Sequence, residues 1–204
     1  MRLLPAIALV SLALLAGCGA ESNDEAGSTL PPPPPTSPPP TPTAVPPPPC
    51  STAGLQLTLP EQELPPAVAD VRKRIFDAAI VCDYDALEQI ALEQGAGFTF
   101  SYGAGTDASE HWRDVEESSS EEPKPMRALA TILTLPFTRN ESGSYAWPTA
   151  YNENPTEAHW QALVDAGLYG AAVIDQMKTQ GTGYLGYRTA ITTDGDWQFF
   201  VAGD

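Results

Sequence analysis

One segment of the sequence, Ser109-Glu110-His111-Trp112-Arg113-Asp114, holds the residue types that acid–base catalysis uses. His111 and Asp114 are three positions apart, so a helix would place them on one face, where the carboxylate could orient the imidazole. The alternative is an exposed helix with a mixed-charge face and with Trp112 turned into the core, and the pattern favours it. No zinc-protease, serine-hydrolase or phosphate-loop motif accompanies the pair. The sequence therefore names two candidate catalytic residues without assigning a reaction.

Aromatic side chains and one arginine form a second set of candidates, for ligand binding. Trp112, Trp147 and Tyr151 could line a cleft, since aromatic residues are common in the walls of ligand pockets. Most of the aromatic residues lie at alternating positions of predicted strands, so core packing is the favoured alternative. Arg188 is one of only ten basic residues and follows glycines that permit close backbone approach. For Arg188, a buried ion pair is favoured over an anion-binding site.

The N-terminus combines a short positive start with an apolar run and a cysteine. The run from Leu3 to Leu15 has the length of a signal-peptide core and is too short for a membrane-spanning helix. Leu15-Ala16-Gly17-Cys18 follows it and resembles the lipobox of bacterial lipoproteins. The resemblance implies that residues 1–17 are a signal peptide, and that Cys18 carries a thioether-linked diacylglycerol and commonly an amide-linked acyl chain such as palmitate. The alternative, an uncleaved signal anchor with Cys18 as an ordinary apolar residue, needs a longer apolar run.

The lipobox resemblance also implies a location. The protein is expected to be exported and anchored to the outer face of the cell membrane, or to the outer membrane if the cell has two. Two or more acyl chains, at about 0.8 kcal/mol per buried methylene, hold a protein stably where one chain is marginal.

Between Cys18 and the domain lie two segments of unusual composition. Residues 18–30 are a polar linker, and residues 31–49 read PPPPPTSPPPTPTAVPPPP. Proline lacks an amide donor and fixes φ, so this run is predicted to be a polyproline II spacer, reaching on the order of 60 Å. The alternative, a proline-rich ligand for aromatic grooves, is not favoured, because no Lys or Arg flanks the run.

The charge of the chain restricts its partners. Asp and Glu number 26 against 10 Lys and Arg, a formal net charge of −16. Nucleic acid is disfavoured as a partner, because such affinity depends on basic residues that neutralise phosphates. The predicted partners are the membrane, through the lipid on Cys18, and cell-wall or envelope components.

Once Cys18 carries lipid, Cys50 and Cys82 are the two remaining thiols. In an exported protein two thiols are more often joined than free, so a disulfide is predicted between them. Closing a loop of about thirty residues stabilises a domain by about 3 kcal/mol in the chain-entropy model. No further Cys and no close His accompanies them, so neither a metal site nor any other cofactor is predicted.

Residues 50–204 are predicted to form one α+β domain, with several helices and a small antiparallel sheet that ends in a C-terminal β-hairpin. Val68, Val71, Ile75, Ala78 and Cys82 recur at helical spacing and predict the first buried helix face. Other features predict a strand at 98–102, a helix capped by Asn154 with Pro155 at its first position, and a hairpin turn at Asp194-Gly195. His159, at the start of an amphipathic helix, is predicted to be structural.

The domain also resembles known groups of proteins. Over most of residues 67–204 it resembles an uncharacterised group of bacterial exported proteins. The segments that carry this resemblance are Phe98–Gly103, Tyr145–Pro148 with Ala150-Tyr151, Tyr184–Arg188 and Asp194–Asp204. Two leading helices with Asp83-Tyr84-Asp85-Ala86-Leu87 resemble NTF2-like (SnoaL-like) domains, whose curved sheet encloses a pocket. Residues 155–179, predicted to be helical, depart from that pattern.

These observations favour a non-enzymatic function. The predicted protein is a lipid-anchored envelope lipoprotein whose globular domain is a binding or structural module. The alternative is a small NTF2-like pocket enzyme, with acid–base or hydrolytic chemistry at His111 and Asp114.

Overall fold

The computed structural model describes residues 50–93, 97–103, 105, 107–118 and 122–203. The predicted signal peptide, lipidated Cys18, polar linker and proline-rich spacer lie outside these residues. No helix in the described part of the chain is long and apolar enough to cross a membrane.

The described residues form six α-helices and a four-stranded antiparallel sheet, so the predicted α+β class is confirmed. In chain order the elements are α1 Pro66–Ile80, α2 Tyr84–Leu92, α3 Ala108–Glu117, α4 Pro125–Thr134, β1 Thr138–Arg139, β2 Tyr145–Trp147, a 3-10 turn Thr149–Tyr151, α5 Glu157–Asp165, α6 Ala171–Gln180, β3 Arg188–Ile191 and β4 Trp197–Val201. Four helices therefore precede the sheet, and α5 and α6 are inserted between its two middle strands.

The sheet is a meander in which each strand pairs with the next one along the chain, in the order β1-β2-β3-β4. The last two strands form the predicted C-terminal hairpin. Its turn contains Gly195 with φ of +98°, and a Cβ there would lie 3.2 Å from the Cβ of Ala67 at the start of α1. A glycine is required at this position by both the backbone conformation and the helix packed against the turn.

The core lies where the helices pack together and against the sheet. Val68, Val71, Ile75 and Ala78 are buried along α1, as the periodicity predicts, whereas Cys82 lies beyond the end of this helix. The largest fully buried side chains come from both the helices and the sheet: Trp112, Trp147, Trp197, Phe200, Ile75, Leu87, Met126, Leu129, Ile132, Leu133, Leu163 and Ile191. Helix α4 contributes eight buried residues and is the central helix of this core.

The predicted disulfide is confirmed. Cys50 and Cys82 are bonded, with their Cα atoms 5.7 Å apart. Thr52 lies beside the bridge and donates a hydrogen bond of 2.8 Å to the carbonyl of Ile80, at the end of α1. The bridge therefore fixes the start of the domain to the end of the first helix.

A buried carboxylate makes a second attachment of the domain's first residues. Glu116 accepts hydrogen bonds from the amide and the hydroxyl of Ser51, at 3.2 and 2.9 Å. It also accepts a bond of 2.7 Å from the amide of Met126, in the first turn of α4, where a negative charge is favourable. One side chain thus joins the start of the domain to α3 and α4.

The start of α5 differs from its prediction. The helix begins at Glu157 with Thr156 as its N-cap, so the predicted cap at Asn154 is wrong, and Pro155 lies outside the helix. Nδ1 of His159 accepts a hydrogen bond of 3.1 Å from the Thr156 amide, and it contacts the side-chain nitrogen of Asn152 at 3.2 Å. Because His159 accepts from the amide of Thr156, the N-cap lies at Thr156, two positions after the predicted cap. His159 therefore has the predicted structural role.

Candidate functional site

A cleft with a volume of about 280 Å³ is lined by α3, the segment 100–103, Tyr187 and the ends of β4 and α4. Six rings line it: Phe100, Tyr102, His111, Trp112, Tyr187 and Phe200. Trp112 and Phe200 are almost fully buried and form its floor, while Phe100, His111 and Tyr187 are half-buried and Tyr102 is exposed. The cleft therefore lies directly above the aromatic core.

Helix α3 places His111 in the cleft. Its N-cap residue, Asp107, accepts hydrogen bonds from the Glu110 amide at 2.8 Å and the Ser109 hydroxyl at 2.9 Å. These bonds stabilise the carboxylate and hold the pKa of Asp107 below its usual value. From this fixed start, the His111 ring lies 5.4 Å from the Phe100 ring.

Trp112, the next residue of α3, anchors the helix to the sheet. Its ring stacks on Trp197 at 5.9 Å and meets the edge of Phe98 at 6.1 Å. The tight packing of these rings fixes the rotation of α3 and therefore the direction of the neighbouring histidine.

The opposite wall comes from a segment that the sequence predicts to be a strand. Only Thr99 pairs with the sheet, through bonds to Gln198 and Phe200 of β4 at 3.0 and 2.9 Å. The predicted strand at 98–102 is therefore wrong beyond a single bridge. Its alternating pattern has another cause, because Phe98 packs on the core and Phe100 lines the cleft.

The structure does not bring His111 and Asp114 together. His111 lines the cleft, whereas Asp114 is exposed and does not line it. No hydrogen bond joins the two side chains, and the His111 ring has no hydrogen-bond partner among the described residues. A spacing of three residues turns a helix by about 300°, which leaves the two side chains about 60° apart. On α3 this angle separates the cleft from the open surface.

Comparison with protein-family models, with curated proteins and with solved structures finds no match to this chain. Among the described residues, no group of three or more His, Cys, Asp and Glu side chains is arranged to hold a metal ion. The geometry of the cleft and its surroundings is therefore what supports a functional proposal.

Arg188 lies next to the cleft, in the first position of β3, with only 7% of its surface exposed. Its guanidinium donates to the carbonyls of Gly186 and Gly203 at 3.2 and 2.7 Å, and to the hydroxyl of Tyr102 at 3.2 Å. The rings of Tyr102 and Tyr151 lie 5.9 and 5.4 Å from it. Within the described part of the chain no carboxylate lies within 4 Å of Arg188, so the ion pair favoured by the sequence is not found there.

The other two candidates for ligand binding lie elsewhere. Trp147 is fully buried in the core, where its Nε1 donates to the side chain of Gln62 at 3.2 Å. Tyr151 lines an open polar groove of about 840 Å³, together with the β1–β2 turn and the loop 181–184. Of the four candidates, only Trp112 lines the 280 Å³ cleft directly, and Arg188 acts on it through Tyr102.

Three cleft residues that the sequence did not single out for binding are Phe100, Ser101 and Tyr102. The signal in the sequence is the aromatic alternation of the segment 98–102, which also predicts strand packing. The flanking glycines, Gly97 and Gly103, are consistent with a short connection rather than a strand.

The turn before β3 depends on a glycine in close contact with two tyrosines. A Cβ on Gly186 would lie 2.5 Å from the hydroxyl oxygen of Tyr184 and 2.6 Å from that of Tyr169. Both hydroxyls are held in place by the backbone of Tyr187. The Tyr184 hydroxyl donates to the Tyr187 carbonyl at 2.8 Å, and the Tyr169 hydroxyl accepts from the Tyr187 amide at 2.9 Å. A side chain at this position would therefore have to displace at least one of the two tyrosines.

We expect the substitution Gly186→Ala to lower the free energy of unfolding by about 2 kcal/mol, because overpacking of a buried site costs on the order of 1–3 kcal/mol. Urea denaturation followed by circular dichroism measures it. Gly97→Ala is the matched control, because a Cβ at this exposed glycine meets no atom within 4 Å and its φ lies outside the left-handed region. A Gly186→Ala protein as stable as the wild type would show that the two tyrosines can move aside.

Buried tyrosines predict a loss of stability at alkaline pH. Burial raises the pKa of Tyr84 to about 12, and it also raises the pKa values of Tyr169 and Tyr184. The unfolded chain loses these protons near pH 10 while the folded chain keeps them, so the stabilisation is complete below about pH 10 and is lost as pH rises through the folded-state values.

A spectroscopic titration checks this expectation. Tyrosinate absorbance should appear in two steps, exposed phenols first and the buried ones together with the cooperative loss of circular dichroism. Simultaneous titration of all seven tyrosines near pH 10 in a folded chain would contradict it.

Proposed function

We propose that this protein is a lipid-anchored protein of the cell envelope, whose domain binds a small ligand in the aromatic cleft without transforming it. The support for anchoring is the Leu15–Cys18 motif followed by the proline-rich segment 31–49. The disulfide between Cys50 and Cys82 is consistent with an oxidising compartment.

The observation that carries the binding function is the composition of the cleft. It is concave and combines an aromatic floor with the polar side chains of Ser101, Tyr102 and His111, and binding sites for small molecules use both kinds of surface. Its volume of about 280 Å³ is near the lower end for such sites, so the ligand is expected to be small.

Binding is favoured over acid–base catalysis because the cleft has one titratable imidazole and no described carboxylate beside it. A catalytic histidine is usually oriented by a third group, and Asp114, the predicted one, is exposed outside the cleft. His111 is therefore assigned to hydrogen bonding with the ligand. The alternative NTF2-like enzyme would need an orienting group for His111, and none of the described lining residues supplies one.

The binding function is tested with the full mature lipoprotein in nanodiscs, incubated with the low-molecular-mass fraction of a bacterial envelope extract. Val115→Phe fills the cleft from α3, whereas Val173→Phe makes the same change at a position of α6 that is 43% exposed. We expect wild type and Val173→Phe to retain a component that Val115→Phe does not, and mass spectrometry to recover it unaltered.

Two results would contradict the proposal. Retention of nothing, or equal retention by Val115→Phe, would show that this cleft does not bind. Recovery of the component with a changed mass would show that the domain is an enzyme, and would support the alternative.

A further inference from the structure

Each polar side chain that lines the cleft is able to donate a hydrogen bond to a ligand. The hydroxyl oxygen of Ser101 accepts a bond of 3.0 Å from the Gly103 amide, which leaves its proton available to a ligand. The hydroxyl oxygen of Tyr102 accepts from Arg188 at 3.2 Å, so its proton is available as well. The imidazole of His111 carries at least one N–H in any protonation state and has no partner among the described residues.

The charges near the cleft also favour a ligand with a negatively charged group that accepts hydrogen bonds. None of the described lining residues is Asp or Glu, although acidic residues outnumber basic ones 26 to 10 in the chain. Arg188 is buried beside the cleft and its charge is not neutralised by any described carboxylate. Its guanidinium polarises the Tyr102 hydroxyl and strengthens it as a donor, since bonds that involve charged groups are the strong ones.

The apolar side chains of the cleft determine the size and shape of the ligand's apolar part. Phe100, Val115, Pro125 and Tyr187 surround the floor formed by Trp112 and Phe200. An apolar cavity of about 150 Å³ holds a benzene molecule, and the cleft has a volume of about 280 Å³. A six-membered ring with a short substituent therefore fits this space.

We infer that the cleft binds a small aromatic or aliphatic carboxylate, whose apolar part lies on Trp112 and Phe200 and whose carboxylate accepts hydrogen bonds from Ser101, Tyr102 and His111. This inference rests on the proposed function and names the chemistry of its ligand. A primary ammonium of similar size is a poor ligand, because it places a positive charge close to Arg188 and cannot accept the hydrogen bonds that Ser101, Tyr102 and His111 donate. Arg188 is a positioning residue, since it acts through the Tyr102 hydroxyl.

The test compares three probes that share a phenyl ring and have similar length: phenylacetate, phenylacetamide and phenethylammonium. Calorimetric titration of the full mature protein in nanodiscs, corrected with empty nanodiscs, gives their affinities. We expect phenylacetate to bind about tenfold or more tightly than phenethylammonium, with phenylacetamide between them.

A pair of tyrosine variants locates the selectivity. Tyr102→Phe removes one hydroxyl from a side chain that is 58% exposed, and should weaken phenylacetate binding about tenfold while leaving phenethylammonium unchanged. Tyr145→Phe is the matched control, because Tyr145 packs on Phe137 and Arg139 and does not line the cleft. It should bind every probe as the wild type does.

Several outcomes would overturn the inference: no binding of phenylacetate, equal or tighter binding of phenethylammonium, or unchanged phenylacetate affinity in Tyr102→Phe. One of these outcomes can occur while the wild type still retains an envelope component that Val115→Phe does not. The proposed carboxylate ligand is then wrong, and the proposed binding function stands. If nothing is retained either, both the ligand class and the binding function are wrong.

Discussion

Serine in place of Cys18 should release the protein from the membrane. The thioether to diacylglycerol forms on the cysteine sulfur, and a serine oxygen does not replace it in the lipoprotein pattern that Leu15–Cys18 resembles. Without acyl chains the acidic domain has no attraction to an anionic bilayer. We expect the wild-type protein to enter the detergent phase in phase-partitioning experiments and the Cys18→Ser protein to enter the aqueous phase. Mass spectrometry of the N-terminal peptide should show lipid on the wild type alone.

Ser22→Ala is the matched control, because it changes one small side chain in the linker 18–30 and leaves the motif intact. It should remain in the detergent phase with lipid on Cys18. Two findings would contradict the anchor: a wild-type peptide that retains Met1 to Gly17 with an unmodified cysteine, or a Cys18→Ser protein that keeps acyl chains.

Local patterns predict much of this fold. The buried stripe of α1 and the glycine turn between β3 and β4 depend on residues close together in sequence, so spacing and turn chemistry are sufficient to find them. The disulfide between Cys50 and Cys82 follows from thiol chemistry once Cys18 is assigned to lipid. The start of α5 shows the limit, because the ring of His159 reaches back to Thr156 and moves the cap from Asn154.

The cleft depends on contacts that sequence spacing does not encode. Thr99 bonds to β4, about a hundred residues later, and this contact places Phe100 and Tyr102 opposite α3. Arg188 is held by backbone carbonyls, and such acceptors are present at every residue and leave no signal in residue type. The i, i+3 spacing of His111 and Asp114 indicates one helix face, but it does not show that the edge of the cleft runs between them.

A second buried arginine, Arg72, is expected to be the most sensitive charged position for stability. Only 3% of its surface is exposed, and burial lowers the pKa of its guanidinium to about 10. Its Nε and Nη2 donate to the carbonyl of Leu133 at 3.1 and 2.6 Å, and its Nη1 donates to the carbonyl of Pro60 at 3.0 Å. The guanidinium also lies 5.7 Å from the ring of Trp147.

Arg72 thus joins three parts of the domain. The Leu133 carbonyl belongs to the last turn of α4, where a positive charge is favourable and where helix carbonyls lack partners within the helix. Pro60 lies in the segment that leads to α1, and Trp147 in β2. Methionine in place of Arg72 would fill similar space but leave two carbonyls without their donor.

We expect Arg72→Met to lower the free energy of unfolding by about 3 kcal/mol, since hydrogen bonds to charged groups contribute about 1.5–3 kcal/mol each and the desolvation of the guanidinium is relieved in part. For a domain of this size the melting temperature falls by roughly 10 °C. Arg72→Lys should recover little of this, because one ammonium lacks the planar, forked geometry that reaches both carbonyls.

Lys73→Met is the matched control on the next residue of α1. Lys73 pairs with Asp77 on the surface, with 67% of its side chain exposed, and exposed pairs contribute about 0–1 kcal/mol. Thermal and urea denaturation should therefore give Lys73→Met a melting temperature and a free energy of unfolding close to those of the wild type. If Arg72→Met is as stable as Lys73→Met, the Arg72 guanidinium does not hold α4 to the segment before α1. The contact between these two parts of the domain is then stabilised by apolar packing alone.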